Sequence, residues 1–106
     1  MTKRYKIEGE LLSIDKYYCL HIRVESKELL QLLDKDSSTS GKPYYKNRNG
    51  FDVVKVQVPR FDNAKFYVYN DMVGQKVYAQ ATASVRESEG TSYFNLTMAS
   101  SLYRKN

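Results

Sequence analysis

Apolar and polar residues alternate over most of the chain, and each change in the alternation marks a change of element. From Tyr5 to Ile14, the residues Tyr5, Ile7, Gly9 and Leu11 alternate with Lys6, Glu8 and Glu10, and then Leu12 and Ile14 take the opposite parity. Period two is the mark of a strand with one buried face. The switch between Gly9 and Leu12 predicts a bulge or bend. A long, bent first strand lets a small barrel join both of its sheets. Asp15-Lys16 reads as a tight turn, and Tyr17 to Glu25 reads as a second strand. Tyr18, Leu20, Ile22 and Val24 form its core face. Tyr17, Cys19, His21 and Arg23 form the other face, which is unusually aromatic and basic for plain solvent.

At Ser26 the period changes. Leu29, Leu30, Leu32 and Leu33 form an apolar stripe at helical spacing, and Ser26 is placed to cap the first turn. The spacing predicts a short helix over 26–35, about two turns long, whose leucines plug one end of a barrel. Asp36 to Ser40 reads as a polar, flexible lead into Gly41 to Gly50, a long loop or a hairpin. Asp52 to Val58 is a third strand with Val54, Val56 and Val58 inward and Val53, Lys55 and Gln57 outward; Pro59 ends it. Lys65 to Tyr69 reads as a strand with Phe66 and Val68 against Tyr67 and Tyr69. Gln75 to Arg86 alternates most cleanly: Val77, Ala79, Ala81, Ala83 and Val85 face in, and Tyr78, Gln80, Thr82, Ser84 and Arg86 face out. Glu87 to Thr91 is a turn, and Ser92 to Ala99 is the last strand, with Phe94, Leu96 and Met98 inward. Leu102 and Tyr103 follow as a latch.

The pattern predicts one domain over 1–106 with a basic, aromatic loop at 36–51, and shows no internal repeat. Five or six short strands and one short helix point to an all-β barrel.

Composition changes the picture in two ways. The net charge is +5, which favours a polyanionic partner. The chain also holds 10 Tyr and 4 Phe but no Trp, and tyrosine tolerates exposure because its hydroxyl stays hydrated. Both features meet in Gly41 to Phe51: Lys42, Lys46 and Arg48, with Tyr44 and Tyr45 between them and no acid. Gly41, Pro43 and Asn49-Gly50 form turns, so the segment is expected to project. Rings interleaved with cations suit a nucleic-acid strand, whose bases stack while its phosphates meet Lys and Arg. The bland alternative is a solvated tip whose tyrosines fold back on the barrel.

A resemblance joins these features. The bent first strand, the run Val73 to Ala81, the turn at Glu87 to Gly90 and the run Tyr93 to Met98 look like parts of an OB-fold barrel, the last three like its final hairpin. Gly41-Lys42-Pro43-Tyr44 is similar to the stretch leading into a DNA-contacting tyrosine in filamentous-phage single-stranded DNA-binding proteins. The chain thus resembles OB-fold single-stranded DNA-binding proteins. The resemblance implies a small five- to six-stranded OB-like barrel, with Tyr44 stacking on a base and Lys42 on a phosphate. It departs from the pattern in two respects: an OB helix lies between the third and fourth strands, whereas the leucine helix follows the second, and the phage proteins are shorter and largely lack such a helix.

Other chemistry finds little support. His21 is the single histidine, and the single cysteine, Cys19, excludes an internal disulfide and a cysteine zinc cluster. Cys19 and His21 share a strand face, but a catalytic dyad needs an orienting third group. The acids are scattered without metal spacing, and no phosphate-cradling glycine motif occurs. The expectation is therefore no enzyme, no cofactor and no small-molecule substrate. No apolar run approaches the roughly 20 residues that span a bilayer, and the expected location is the cytoplasm of a bacterial or phage-infected cell.

The expected ligand is single-stranded DNA, bound without sequence preference during replication or recombination, or alternatively RNA. The expected contacts are Tyr17, His21 and Arg23; Lys42, Tyr44, Tyr45, Lys46 and Arg48; Lys55; and Tyr67 and Tyr69. For Tyr67, Tyr69, Tyr78 and Tyr93, cross-strand packing is the competing role. Self-association would allow cooperative coating. A barrel that docks a protein through its tyrosine face is the reading from a different class.

Overall fold

The structure, a computed structural model, describes residues 3–40, 42–43, 53–59 and 66–105. Its strands are β1 (Arg4–Ile14), β2 (Cys19–Val24), β3 (Lys42–Pro43), β4 (Val53–Gln57), β5 (Lys76–Ser88), β6 (Thr91–Met98) and β7 (Tyr103–Arg104); its helices are α1 (Lys27–Ser40) and α2 (Phe66–Asn70). Strands run side by side in the order β3-β6-β4-β2-β1-β5-β7, and β6 also pairs with β5. That extra pairing closes β1, β2, β4, β5 and β6 into a five-stranded barrel, a small all-β OB-like architecture.

The long first strand does the joining. Its first half, Arg4 to Glu10, pairs with Thr82 to Lys76 of β5, and its second half pairs with β2. The register slips between Leu11 and Ser13, where the parity switch predicted a bulge. Gly9 sits at the crossover because a Cβ there would collide with the carbonyl oxygen of Arg23 on β2. Ile7, Leu11, Leu20, Ile22, Val54, Val56, Val77 and Ala81 fill the barrel, all nearly inaccessible to solvent. Val58, Phe94, Leu96, Met98 and Leu102 complete this core. At the end of β5, Glu89 and Gly90 both have positive φ, the geometry of a two-residue turn whose twist matches its flanking strands.

Several expectations need correction. The leucine helix runs on through Ser40, so Asp36 to Ser40 is helix and not part of a loop. Ser26 caps it as expected, its Oγ accepting the Leu29 N–H at 3.2 Å. Leu33 is fully buried against the barrel, and Asp36 accepts the Tyr5 hydroxyl at 2.6 Å, which ties the helix to β1. Burial, and then that bond to a carboxylate, pushes the Tyr5 hydroxyl well above its ordinary pKa.

Phe66 to Asn70 is a helical turn rather than a strand, and it lies between the third and fourth barrel strands, β4 and β5, where an OB helix belongs. Tyr18 lies in the β1–β2 turn with φ of 61° and is exposed, not core. Val53 is buried and Val85 is exposed, each against expectation.

Candidate nucleic-acid interface

The outer face of β2 and β4 is set by register. Cys19 lies opposite Gln57, His21 opposite Lys55, and Arg23 opposite Val53. Because Leu20 and Ile22 point into the core, His21 and Arg23 are turned outward by strand alternation. Lys55 is turned outward in the same way between buried Val54 and Val56. Three of the expected contacts, His21, Arg23 and Lys55, are thus brought onto one patch from two strands.

The β1–β2 turn supplies the aromatic end of that patch. Asp15 holds the turn: its Oδ1 accepts the N–H of Tyr17 at 2.8 Å and of Cys19 at 3.1 Å. The other oxygen, Oδ2, lies 2.9 Å from Nε2 of His21. Partial burial opposes ionisation of Asp15. The bond with His21 and the two backbone N–H bonds outweigh it and hold the carboxyl below its ordinary pKa. The resulting turn presents Tyr17 with 65% of its surface exposed, and Lys16 Nζ lies 5.1 Å from the centre of its ring. On the other side of the turn, the Tyr18 carbonyl accepts the Val58 N–H at 2.9 Å, joining it to the end of β4.

Next to this patch the barrel seam is loose. One residue pair, Gln57 with Thr97, joins β4 to β6, and the two residues of β3 take up the β6 edge at Tyr93 and Phe94. An open groove of about 360 Å³ lies there, lined by Cys19, Lys55, Gln57, Ser84, Asn95, Leu96 and Thr97. Gln57 braces it. Its Nε2 donates to the carbonyls of Tyr17 (3.0 Å) and Val58 (3.2 Å), and its Oε1 accepts the Cys19 thiol at 3.1 Å. Burial, reinforced by the charge of Asp15 and only partly offset by Lys55, pushes the Cys19 thiol up. Among the described residues no group of three or more His, Cys, Asp or Glu side chains is placed to hold a metal ion. No described helix is long and apolar enough to cross a membrane.

The remaining expected contacts divide. Lys42 lies on β3 with its backbone opposite Tyr93. Tyr44, Tyr45, Lys46 and Arg48 lie outside the described residues. Both ends of their segment are placed, however: the chain leaves β3 beside Phe94 and re-enters at Val53, opposite Arg23. Tyr69 is only 2% exposed, packed within the core, so it forms no part of a binding surface. Tyr67 is 80% exposed, but on α2 and not on the β2–β4 face. Tyr78 packs against Tyr103 of β7, with ring centres 5.4 Å apart.

Sequence reasoning missed Asp15, Gln57, Asn95 and Thr97. Asn95 and Thr97 were legible as outward on the last strand, but only the β4–β6 pairing places them beside Lys55, and no local pattern encodes it. Asp15 followed by two residues and a strand start is an Asx-turn signal that was available.

No protein-family model, no curated protein and no solved structure matches this chain.

Proposed function

We propose that the chain binds single-stranded DNA without sequence specificity in the groove outside β2 and β4, and protects it during replication or recombination. The observation that carries this reading is the convergence of His21, Arg23 and Lys55 on one barrel face, with exposed Tyr17 at its end. Arg23 and Lys55 on such a face meet phosphates, and an exposed ring beside them stacks a base for about 1–3 kcal/mol. The polar groove wall, with Ser84, Asn95 and Thr97 beside Lys55, accommodates base edges without demanding one sequence. The net charge of +5 adds long-range attraction for a polyanion. An unpaired strand fits better than a duplex, because α1 carries a leucine stripe and three acids, Glu28, Asp34 and Asp36, in place of a row of base-reading cations. Self-association along the strand is part of the proposal, since one small barrel covers few nucleotides.

The test is titration of tyrosine fluorescence with oligo-dT at low and high salt, with duplex DNA as control. The absence of Trp makes the tyrosine signal usable. Quenching by the single strand, weakened by salt and missing with duplex, is expected. Equal or stronger quenching by oligo-U moves the reading to RNA. No response at low salt removes nucleic acid and leaves a protein-docking barrel as the function to pursue.

A further inference from the structure

The outer face of β1, β5 and β7 repeats the two chemistries of the groove on another stretch of barrel wall. In register, Lys6 lies opposite Gln80, Glu8 opposite Tyr78 and Glu10 opposite Lys76, while Tyr103 lies opposite Tyr78 on its other side. Residues directly opposite one another share a face. The Tyr78 and Tyr103 rings are tilted by 31° on each other, and Lys6 Nζ lies 5.2 Å from the Tyr78 ring centre. Tyr103 stays about half exposed, which leaves ring surface open for a further stack.

Cations surround this pair. The Lys105 N–H donates to the Lys76 carbonyl at 2.8 Å, so the two lysines are neighbours. Between this face and the start of α1 lies an open cavity of about 440 Å³, to which Lys6, Lys76 and Lys105 contribute. On and beside this face four cations, Arg4, Lys6, Lys76 and Lys105, stand against three acids, Glu8, Glu10 and Glu25, a surplus of one positive charge. Glu8 serves both Lys6, at 3.6 Å, and Lys105. Lys76 meets Glu25 at 3.7 Å with both side chains well exposed, a contact that solvent and counterions compete for readily. Arg4, on the same strand face as Lys6, adds a further exposed cation.

We propose that this face is a second binding surface for single-stranded DNA, so that one chain holds two strand segments at once and anneals complementary strands. The inference rests on the reading of the groove given above. Lys6, Lys76, Lys105 and Arg4 take phosphates, and Tyr103 stacks a base. Two strands held on one small barrel meet at a far higher effective concentration than two free strands, and the bound cations relieve their mutual repulsion.

The test uses the full chain, dT oligomers of about eight nucleotides, too short to cover both faces, and a Lys6→Ala/Tyr103→Ala variant. Both side chains are exposed, and circular-dichroism melting confirms that the variant is folded. The wild-type chain is expected to take up two oligomers at low salt and the variant one. The rate of annealing of two labelled complementary oligonucleotides is expected to fall about tenfold or more in the variant. One oligomer per wild-type chain, or annealing unchanged in the variant, overturns the second surface and leaves the groove reading standing. No uptake by either protein overturns both.

Discussion

One carboxylate, that of Asp15, organises the turn that carries the exposed aromatic ring. One oxygen satisfies two backbone N–H groups and the other meets His21, so the charge is used on both sides. Its pKa is held below the ordinary carboxylate range, which fixes the sign of its effect on stability. A depressed carboxyl stabilises the fold above its unfolded pKa, and that contribution disappears as pH falls through the folded value. Asp15→Asn is therefore expected to lower the urea midpoint at neutral pH, with the difference from wild type closing in the acid range. A difference that stays constant across that range would show that ionisation is not what holds the turn. Gly9 makes a different kind of demand. Its backbone crosses β2 so closely that any Cβ meets the Arg23 carbonyl oxygen, and backbone cannot step aside as a flexible side chain would. Gly9→Ala should cost about 1–3 kcal/mol by overpacking, read from chemical denaturation. A neutral substitution would mean that the β1–β2 crossing is wider than described.

At the scale of elements, α1 packs its leucines on the barrel core, where Leu33 is fully buried. Leu33→Ala should lose about 2–5 kcal/mol, measured by thermal or denaturant unfolding, while leaving affinity for an oligonucleotide unchanged once the protein is folded. The strands were largely legible in the sequence because their alternation runs long. In β5, Val77, Ala79 and Ala81 fix the buried face by repetition, and Phe94, Leu96 and Met98 do the same in β6. Failures came where the signal is short or where polarity misleads. Phe66 to Asn70 offers five residues, too few to separate a period of two from one of 3.6, so the pattern reads as a strand where the chain makes a helical turn, and as a surface ring where Tyr69 is buried. Asp-Ser-Ser-Thr-Ser is a poor helix former by itself, yet α1 continues through it. Propensity is a weak prior beside the tertiary contacts that anchor the helix, such as the bond from Tyr5 to Asp36. Tyr18 continued the alternation of β2 in sequence but belongs to the turn, because Asp15 captures the chain first.

At the scale of the whole molecule, the candidate site is a product of barrel closure. His21 and Arg23 were readable as outward on one strand, and Lys55 on another. Their meeting depends on the pairing of β2 with β4, which α1 and β3 separate in the chain. The gap beside them depends on β4 touching β6 at Gln57 and Thr97. Neither pairing leaves a local trace, which is why the candidate residues were legible one by one and the groove was not. The closed barrel also makes an electrostatic prediction. If Arg23 and Lys55 each neutralise one phosphate, each releases about one counterion on binding, and the slope of log K against log salt contains about −0.7 per contact for a single strand. Arg23→Ala and Lys55→Ala should each make the slope shallower by about that amount, and together by about twice as much. Tyr17→Ala should instead leave the slope alone and lower affinity at every salt concentration by the stacking term, about 1–3 kcal/mol. The measurement is oligo-dT affinity by fluorescence anisotropy at four or more salt concentrations. A Tyr17 variant that flattens the slope, or cation variants that leave it unchanged, would place the phosphates somewhere other than the β2–β4 face.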